Sequence, residues 1–290
     1  MAYTTVNDPS VQFQILLYTG SASSVSPTFT GNANLQPDMM WIKSRSASTN
    51  QNLYDSSRGS TERLYPNLSS QKDTVSGMAF NSDGFTTGTN SVGDINVDGS
   101  TYVGWGWKCN GGTTSSNSSG SITSTVQVNA TAGLSIVTYT GTGSNATIGH
   151  GLGVQPDQVI IKARDRSDNW RTGSDKLTSW GYNIALDQDS AEWANAGVFN
   201  STGPTSTVFS VGTDGATNAS GEGYVAYCFK SIKGYSKFGS YTGNGNVNGP
   251  FLYTGFKPAY VLTKNRANAG GWAAMDNARN PSNVMNKYLI

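Results

Sequence analysis

Two sets of side chains sit at fixed distances from a lysine that ends a strand, and both sets have ligand-binding chemistry. Trp170 and Trp272 each lie eight residues after such a lysine, Lys162 and Lys264, whereas Gln51 holds that place after Lys43. Asp55 and Arg58 follow Lys43 by 12 and 15 residues, as Asp276 and Arg279 follow Lys264; Ser174 and Leu177 stand there after Lys162. Aromatic faces stack on sugars, and Asp with Arg hydrogen-bonds hydroxyls, so these six Trp, Asp and Arg residues are the candidate ligand set. The structural reading is that Trp covers the edge of a sandwich and Asp pairs with Arg to fix a loop.

Other chemistry has less to stand on. Asp187 and Asp189 are two apart in a loop, where a solvated pair is the ordinary reading and a glycosidase dyad the alternative. His150 is the single histidine, and the flanking Gly149 and Gly151 put it in a turn, where bonding to backbone is expected. With no second histidine, and with Cys109 and Cys228 in different modules, no zinc site is expected. The cysteines are read as buried thiols. Asp94-Ile95-Asn96-Val97-Asp98-Gly99 matches the first half of a calcium loop, but Trp105 stands where the bidentate carboxylate belongs. A hairpin turn is the alternative reading. Six Asn-x-Ser/Thr triplets, including Asn67-Leu68-Ser69, are what a chain rich in these residues produces by chance. Neither a nucleophile elbow in a strand-turn-helix setting nor a phosphate loop is found, so no catalytic residue, metal or cofactor is expected.

The elements that must position these residues are repeated. Tyr18-Thr19-Gly20, Tyr139-Thr140-Gly141 and Tyr241-Thr242-Gly243 each end an apolar strand. Each is followed by a proline and a strand ending in lysine six residues later: Pro37 to Lys43, Pro156 to Lys162 and Pro258 to Lys264. A closing strand occurs twice, Tyr102-Val103-Gly104-Trp105-Gly106-Trp107-Lys108 and Tyr224-Val225-Ala226-Tyr227-Cys228-Phe229-Lys230. Side chains alternate across a strand, so one face is Tyr and small residues and the other is Val and aromatics. The aromatic face is expected in a core, and the small face should let another layer approach closely. A third closing strand is expected at roughly residue 330, so module three is read as incomplete, continued by more chain or by a partner's strands.

Turn dipeptides such as Asp83-Gly84 and Asp214-Gly215 recur between short strands, and long apolar patterns of helical spacing are missing. The expected fold is all-β: tandem antiparallel β-sandwich (jelly-roll-like) modules, the third incomplete. The divisions are 1–109 for module one, 110–133 for a flexible Gly/Ser/Thr-rich linker, 134–232 for module two and 233–290 for the first half of module three. The second junction, Ser231 to Gly234, is expected to be tight, with a shared surface. A net charge of +1 argues against a dedicated nucleic-acid binder, and no apolar run reaches membrane-spanning length. The start, Met1 to Asp8, has neither the basic nor the apolar part of a secretory signal.

Asn7-Asp8-Pro9-Ser10, the Tyr-Thr-Gly strands, Leu35-Gln36-Pro37-Asp38, Asp83-Gly84-Phe85 and the Tyr-Val-x-x-x-x-Lys closures together resemble a family of repeat proteins of tailed bacteriophages, especially marine ones. His150-Gly151-Leu152-Gly153 followed by Pro156 is similar to another recurrent element of phage tail proteins. That family is regarded as virion-surface or tail-fibre-like. The resemblance implies a place on the virion, with assembly in the host cytoplasm and exposure on the particle. With the Gly/Ser/Thr/Asn-rich loops and loop tryptophans, the first reading is a non-enzymatic tail-fibre or receptor-binding protein that contacts a host surface glycan. The expected partners are other virion proteins and a host surface glycan, with a homo-oligomer, a trimer among the options. A capsid-decorating or tail structural protein with protein partners alone is the second reading, and a polysaccharide depolymerase the third.

Overall fold

A computed structural model of the chain describes residues 4–89 and 94–282. In chain order it holds β1 (Phe13–Thr19), β2 (Met39–Ser44), β3 (Asn52–Asp55), β4 (Gly59–Leu64), β5 (Asp73–Thr74), β6 (Ala79–Phe80), β7 (Phe85–Thr86) and β8 (Thr101–Trp107). Next come β9 (Ser115–Asn117), β10 (Ser124–Asn129), β11 (Leu134–Thr140), β12 (Ala146–Gly149), β13 (Gln158–Ala163) and β14 (Arg171–Ser174). The chain continues through β15 (Tyr182–Asn183), β16 (Trp193–Ala194), the single turn α1 (Ala196–Phe199), β17 (Val208–Val211), the single turn α2 (Gly215–Asn218) and β18 (Gly223–Phe229). The hairpin of β19 (Tyr260–Thr263) and β20 (Ala273–Asp276) follows. The protein is all-β, built of antiparallel sheets in a sandwich-type arrangement, as the short alternating strands and frequent turn residues predict.

The repeat is visible in the pairing. The first sheet runs β1-β8-β2-β3-β4-β5 and the second runs β9-β10-β11-β18-β13-β14, so in both the closing strand lies between the opening strand and the proline-to-lysine strand. All three proline-to-lysine strands form their hairpins in one register: Met39 faces Asp55, Gln158 faces Ser174 and Tyr260 faces Asp276. Opening and closing tyrosines stack, Tyr18 on Tyr102 at 5.0 Å and Tyr139 on Tyr224 at 5.2 Å. The glycine that ends Tyr-Thr-Gly is a packing requirement. A Cβ on Gly20 or Gly141 would lie 2.3 Å from the carbonyl oxygen of Val97 or Ala219, a contact no side chain tolerates.

Each large sheet has two buried faces. On the small-residue face, Tyr102 joins Leu16, Met40, Ile42 and Phe85 in one cluster. Tyr224, Ala226 and Cys228 join Val137, Val159 and Ile161 in another, under Ile148, Phe209 and Val211 of the β12–β17 pair. Close approach is the reason for small residues here, since a Cβ on Gly106 would meet Phe29 at 2.5 Å. Cys109 and Cys228 are free buried thiols, and burial raises both pKa values far above the ordinary thiol range. The aromatic faces meet a common centre instead of closing within each module. Met39, Trp41, Val103 and Trp105 of the first module, Ile136, Ile160, Val225 and Tyr227 of the second, and Tyr260, Leu262, Trp272 and Ala274 of the third form one cluster.

Residues 110–133 are not a flexible linker, and module two does not begin at 134. β9 and β10 lie within that span as the outer strands of the second sheet, with Thr125 facing Thr138 and Val128 facing Ser135. Composition concealed the period-2 alternation of Ser124-Thr125-Val126-Gln127-Val128, in which Ser, Thr and Gln fill strand positions. The turn before it is also fixed, because the backbone amides of Cys109, Gly111 and Gly112 all donate to the Asp38 carboxylate. Asp157 does the same work after β18, accepting from the amide of Ser231 and from Lys230.

Candidate functional site

The aspartate of the proline-to-lysine hairpin is the last residue of β3 or β20, so its side chain falls on the face turned to the common centre. Asp55 is fully buried, its Oδ2 2.5 Å from Arg58 Nε and its Oδ1 accepting the Arg58 amide at 2.9 Å. Arg58 also donates to the carbonyls of Leu53 and Glu62. Tyr227 of the second module completes the arrangement by donating to Asp55 Oδ2 at 2.6 Å. Asp276 and Arg279 repeat it: the carboxylate takes the Arg279 Nε at 2.6 Å and the Arg279 amide at 2.8 Å. Its outside donor is Trp105 Nε1 of the first module, at 3.1 Å, and the Arg279 guanidinium lies over the Trp105 ring.

These joints are directional. The closing strand of module two reaches the Asp–Arg corner of module one, and the closing strand of module one reaches that of module three. The two joints thus tie modules two and three to module one around the shared aromatic cluster.

The tryptophans belong to a second set of joints. Trp170 is buried, stacks beside Tyr227 and donates from Nε1 to the carbonyl of Tyr65 in module one at 2.8 Å. Trp272 is half-buried and donates to the carbonyl of Ala185 in module two at 2.9 Å. The strand lysines act beside them. Lys162 Nζ, with no exposed surface, donates to the carbonyls of Ser69, Ala163 and Asp168, one acceptor for each N–H of an ammonium. Burial lowers its pKa to about 8, which still leaves it charged at neutral pH. Lys264 repeats the contact one module later, on the carbonyls of Asp189, Ser190 and Asn265. Ion pairs of Arg164 with Glu62 and of Arg266 with Glu192 flank the two boundaries.

Of the six candidate ligand residues, Asp55, Arg58, Trp170, Asp276 and Arg279 are therefore buried in joints. Trp272 alone keeps an open face. It lines a cavity of about 230 Å³ at the meeting of the three modules, with Trp41, Trp105, Leu262, Asn67, Gln188 and Asp187 also in the wall. Asp187 accepts the Trp170 amide through one oxygen, and burial pushes its pKa up to about 6. Asp189 is exposed and lines the same cavity, so the two acids differ in environment.

His150 is fully buried in its turn. Its Nδ1 accepts the Leu152 amide at 3.2 Å, and Nε2 lies 3.2 Å from the Thr205 carbonyl, a geometry that suits the neutral Nε2–H tautomer. Burial lowers its pKa. The folded form then binds a proton less readily than the unfolded chain, so stability holds above the ordinary histidine value and falls as pH drops through about 6.5. Asp187 has the opposite sign, since its raised pKa makes folding favour the protonated acid below about 6. In an Asp187→Asn background, melting at pH 7.5 and 5.5 should show a loss at the lower pH that His150→Gln reduces. An unchanged difference would remove His150 from the acid response.

The Asp94–Gly99 stretch is explained by Asn96, which was visible only as a partial calcium motif. Its buried carboxamide donates to the carbonyls of Ser23 and Gly88 and accepts the Ser21 amide. Asn218 does the same for Ser144, Gly212 and Thr142. Both asparagines stand six residues before a closing tyrosine, a spacing that could have revealed them. Groups of three or more potential metal ligands do not occur among the described residues.

The architecture defines an all-β repeat protein whose modules share a core. Residues 8–290 match the model of a family described as a domain of unknown function (DUF7483), and the chain belongs to that family. Neither the curated proteins nor the solved structures compared with the chain gave a match.

Proposed function

We propose that this chain is a non-enzymatic structural component of a bacteriophage particle whose partners are protein subunits. The observation that carries this reading is the commitment of five of the six candidate ligand residues to buried joints within and between modules. Side chains used in this way hold a rigid body together and are closed to a soluble ligand. The placement on a phage particle rests on the sequence resemblance, and the rigid body suits a subunit that must keep its shape in an assembly.

A receptor-binding, tail-fibre reading has one observation in its favour: the cavity that combines Trp41 and Trp272 with Asn67, Gln188 and Asp187. Aromatic faces among a few polar groups are the ordinary make-up of a sugar site. A glycan array probed with the purified protein separates the two. The protein-partner reading expects no glycan above background; a glycan bound by the wild type and lost with Trp272→Ala would replace it with the receptor reading. The depolymerase reading depends on Asp187 and Asp189, both in the cavity wall, acting together; release of reducing sugar from a host capsule, abolished by Asp187→Asn or Asp189→Asn, would be needed to adopt it.

A further inference from the structure

We propose that the third sheet is a strand acceptor, which takes an extended segment of a partner polypeptide along the edge of β19. The occupant's chemistry is a tyrosine and an aliphatic residue followed by two aromatics at alternate positions. This inference deepens the protein-partner reading by naming the kind of partner, and it rests on that reading.

The first support is the pairing of β19. β2 and β13 each lie between two neighbours, the hairpin partner on one side and the closing strand β8 or β18 on the other. Among the described residues, β19 pairs only with β20, in the register its counterparts use. β2 is buried throughout and β13 nearly so, whereas all four residues of β19 are half-exposed. A β-edge with unmet amides and carbonyls pairs readily with an added strand.

The side chains around that edge specify the occupant. Trp41 faces Trp105 across the first sheet, and Ile160 faces Tyr227 across the second. Leu262 is the matching residue of β19, so the occupant's central aromatic falls opposite it. The cavity lies there, walled by Leu262, Trp272 and Ala274, and Trp272 stands where Trp170 stacks on Tyr227 at 6.4 Å.

The opening segment gives an independent sign. Tyr18 and Tyr139 are each stacked on a closing-strand tyrosine, but Tyr241 at the same place is 54% exposed. Between it and β19, Phe251 and Tyr253 are 90% and 71% exposed, so the connection leading to β19 carries further uncovered aromatic side chains. Ala259 replaces the aspartates Asp38 and Asp157, which hold the chain after β8 and β18, so the site does not select the residues that follow the strand.

The test uses the 290-residue protein and a synthetic peptide with the sequence of residues 223–230, carrying Cys228→Ala so that it stays reduced. Calorimetric titration should show saturable one-to-one binding, with a change in tryptophan emission, and a scrambled peptide of the same composition should not bind. Leu262→Asp should weaken binding about tenfold or more, by placing a charge opposite the central aromatic. Near-ultraviolet circular dichroism of that variant should match the wild type, which checks that the first two modules remain folded. The proposal is overturned by absent saturation, by equal binding of the scrambled peptide, or by an unaffected Leu262→Asp. A failure of the protein-partner reading would register separately, as Trp272-dependent glycan binding.

Discussion

Asp55→Ala should be among the most damaging single changes in this protein, costing roughly 3–5 kcal/mol, because it leaves the Arg58 guanidinium buried without its counter-charge. Both side chains of the pair are fully inaccessible, so water cannot take over from the lost carboxylate. Arg58 would keep the carbonyls of Leu53 and Glu62 and the Tyr227 hydroxyl, none of which carries a charge. At about 2–4 °C per kcal/mol, the melting temperature should drop by roughly 6–20 °C. Asp55→Ala combined with Arg58→Met should recover a good part of this, since removing both charges also removes the cost of burying them. Tyr227→Phe tests the inter-module arm of the joint, and its effect should be non-additive with Asp55→Ala because the two share one hydrogen bond. A loss under about 1 kcal/mol for Asp55→Ala, with additive Tyr227→Phe, would show that the joint is not an energetic one.

The second large effect is expected at the other kind of joint. Trp170→Ala removes a fully buried indole that stacks beside Tyr227 and bonds the Tyr65 carbonyl across the boundary. Emptying such a site should cost about 3–5 kcal/mol, the range for a large aromatic replaced by alanine in a core. Trp272→Ala makes the internal control. The same residue holds the corresponding place one module later, but its half-buried ring borders the cavity and has less packing to lose. Urea unfolding of both variants should therefore place Trp170→Ala well below Trp272→Ala. Equal losses would contradict the difference in burial. A biphasic curve for Trp170→Ala alone would mean that the first boundary opens before the rest unfolds.

The joints also explain why the repeats have not kept identical residues. Asp and Arg are present where a closing strand delivers a hydroxyl or an indole N–H, from Tyr227 to Asp55 and from Trp105 to Asp276. In the second module Ser174 holds the place of the aspartate, and its hydroxyl donates to the carbonyl of Asp157 within its own module. Trp170 and Trp272 reach back to the preceding module, while Gln51 of the first bonds Trp41 within its own sheet. What looks in a linear comparison like incomplete conservation of a ligand site is the pattern of which boundary each module makes.

Several features could be read from the residues because they follow from local rules. Alternation gave the strands and their two faces, the shared offset from proline to lysine gave three hairpins in one register, and the small residues of the closing strands gave the close approach of a second layer. The buried thiols and the turn around His150 came from the same local chemistry. The strands within 110–133 are hard to read from the residues because Ser, Thr and Gln occupy strand positions there, so a linker-like composition masks a short alternating pattern.

What covers each face was decided only by the tertiary structure. Alternation shows that Val103, Trp105 and Trp107 share a face, but not that the face meets two other sheets. Nor does any local pattern tell a ligand-binding tryptophan from Trp170, whose indole finds its acceptor 105 residues earlier in the chain. Burial and pairing over such separations depend on how whole sheets pack, and one sheet's sequence carries no record of its neighbour's position.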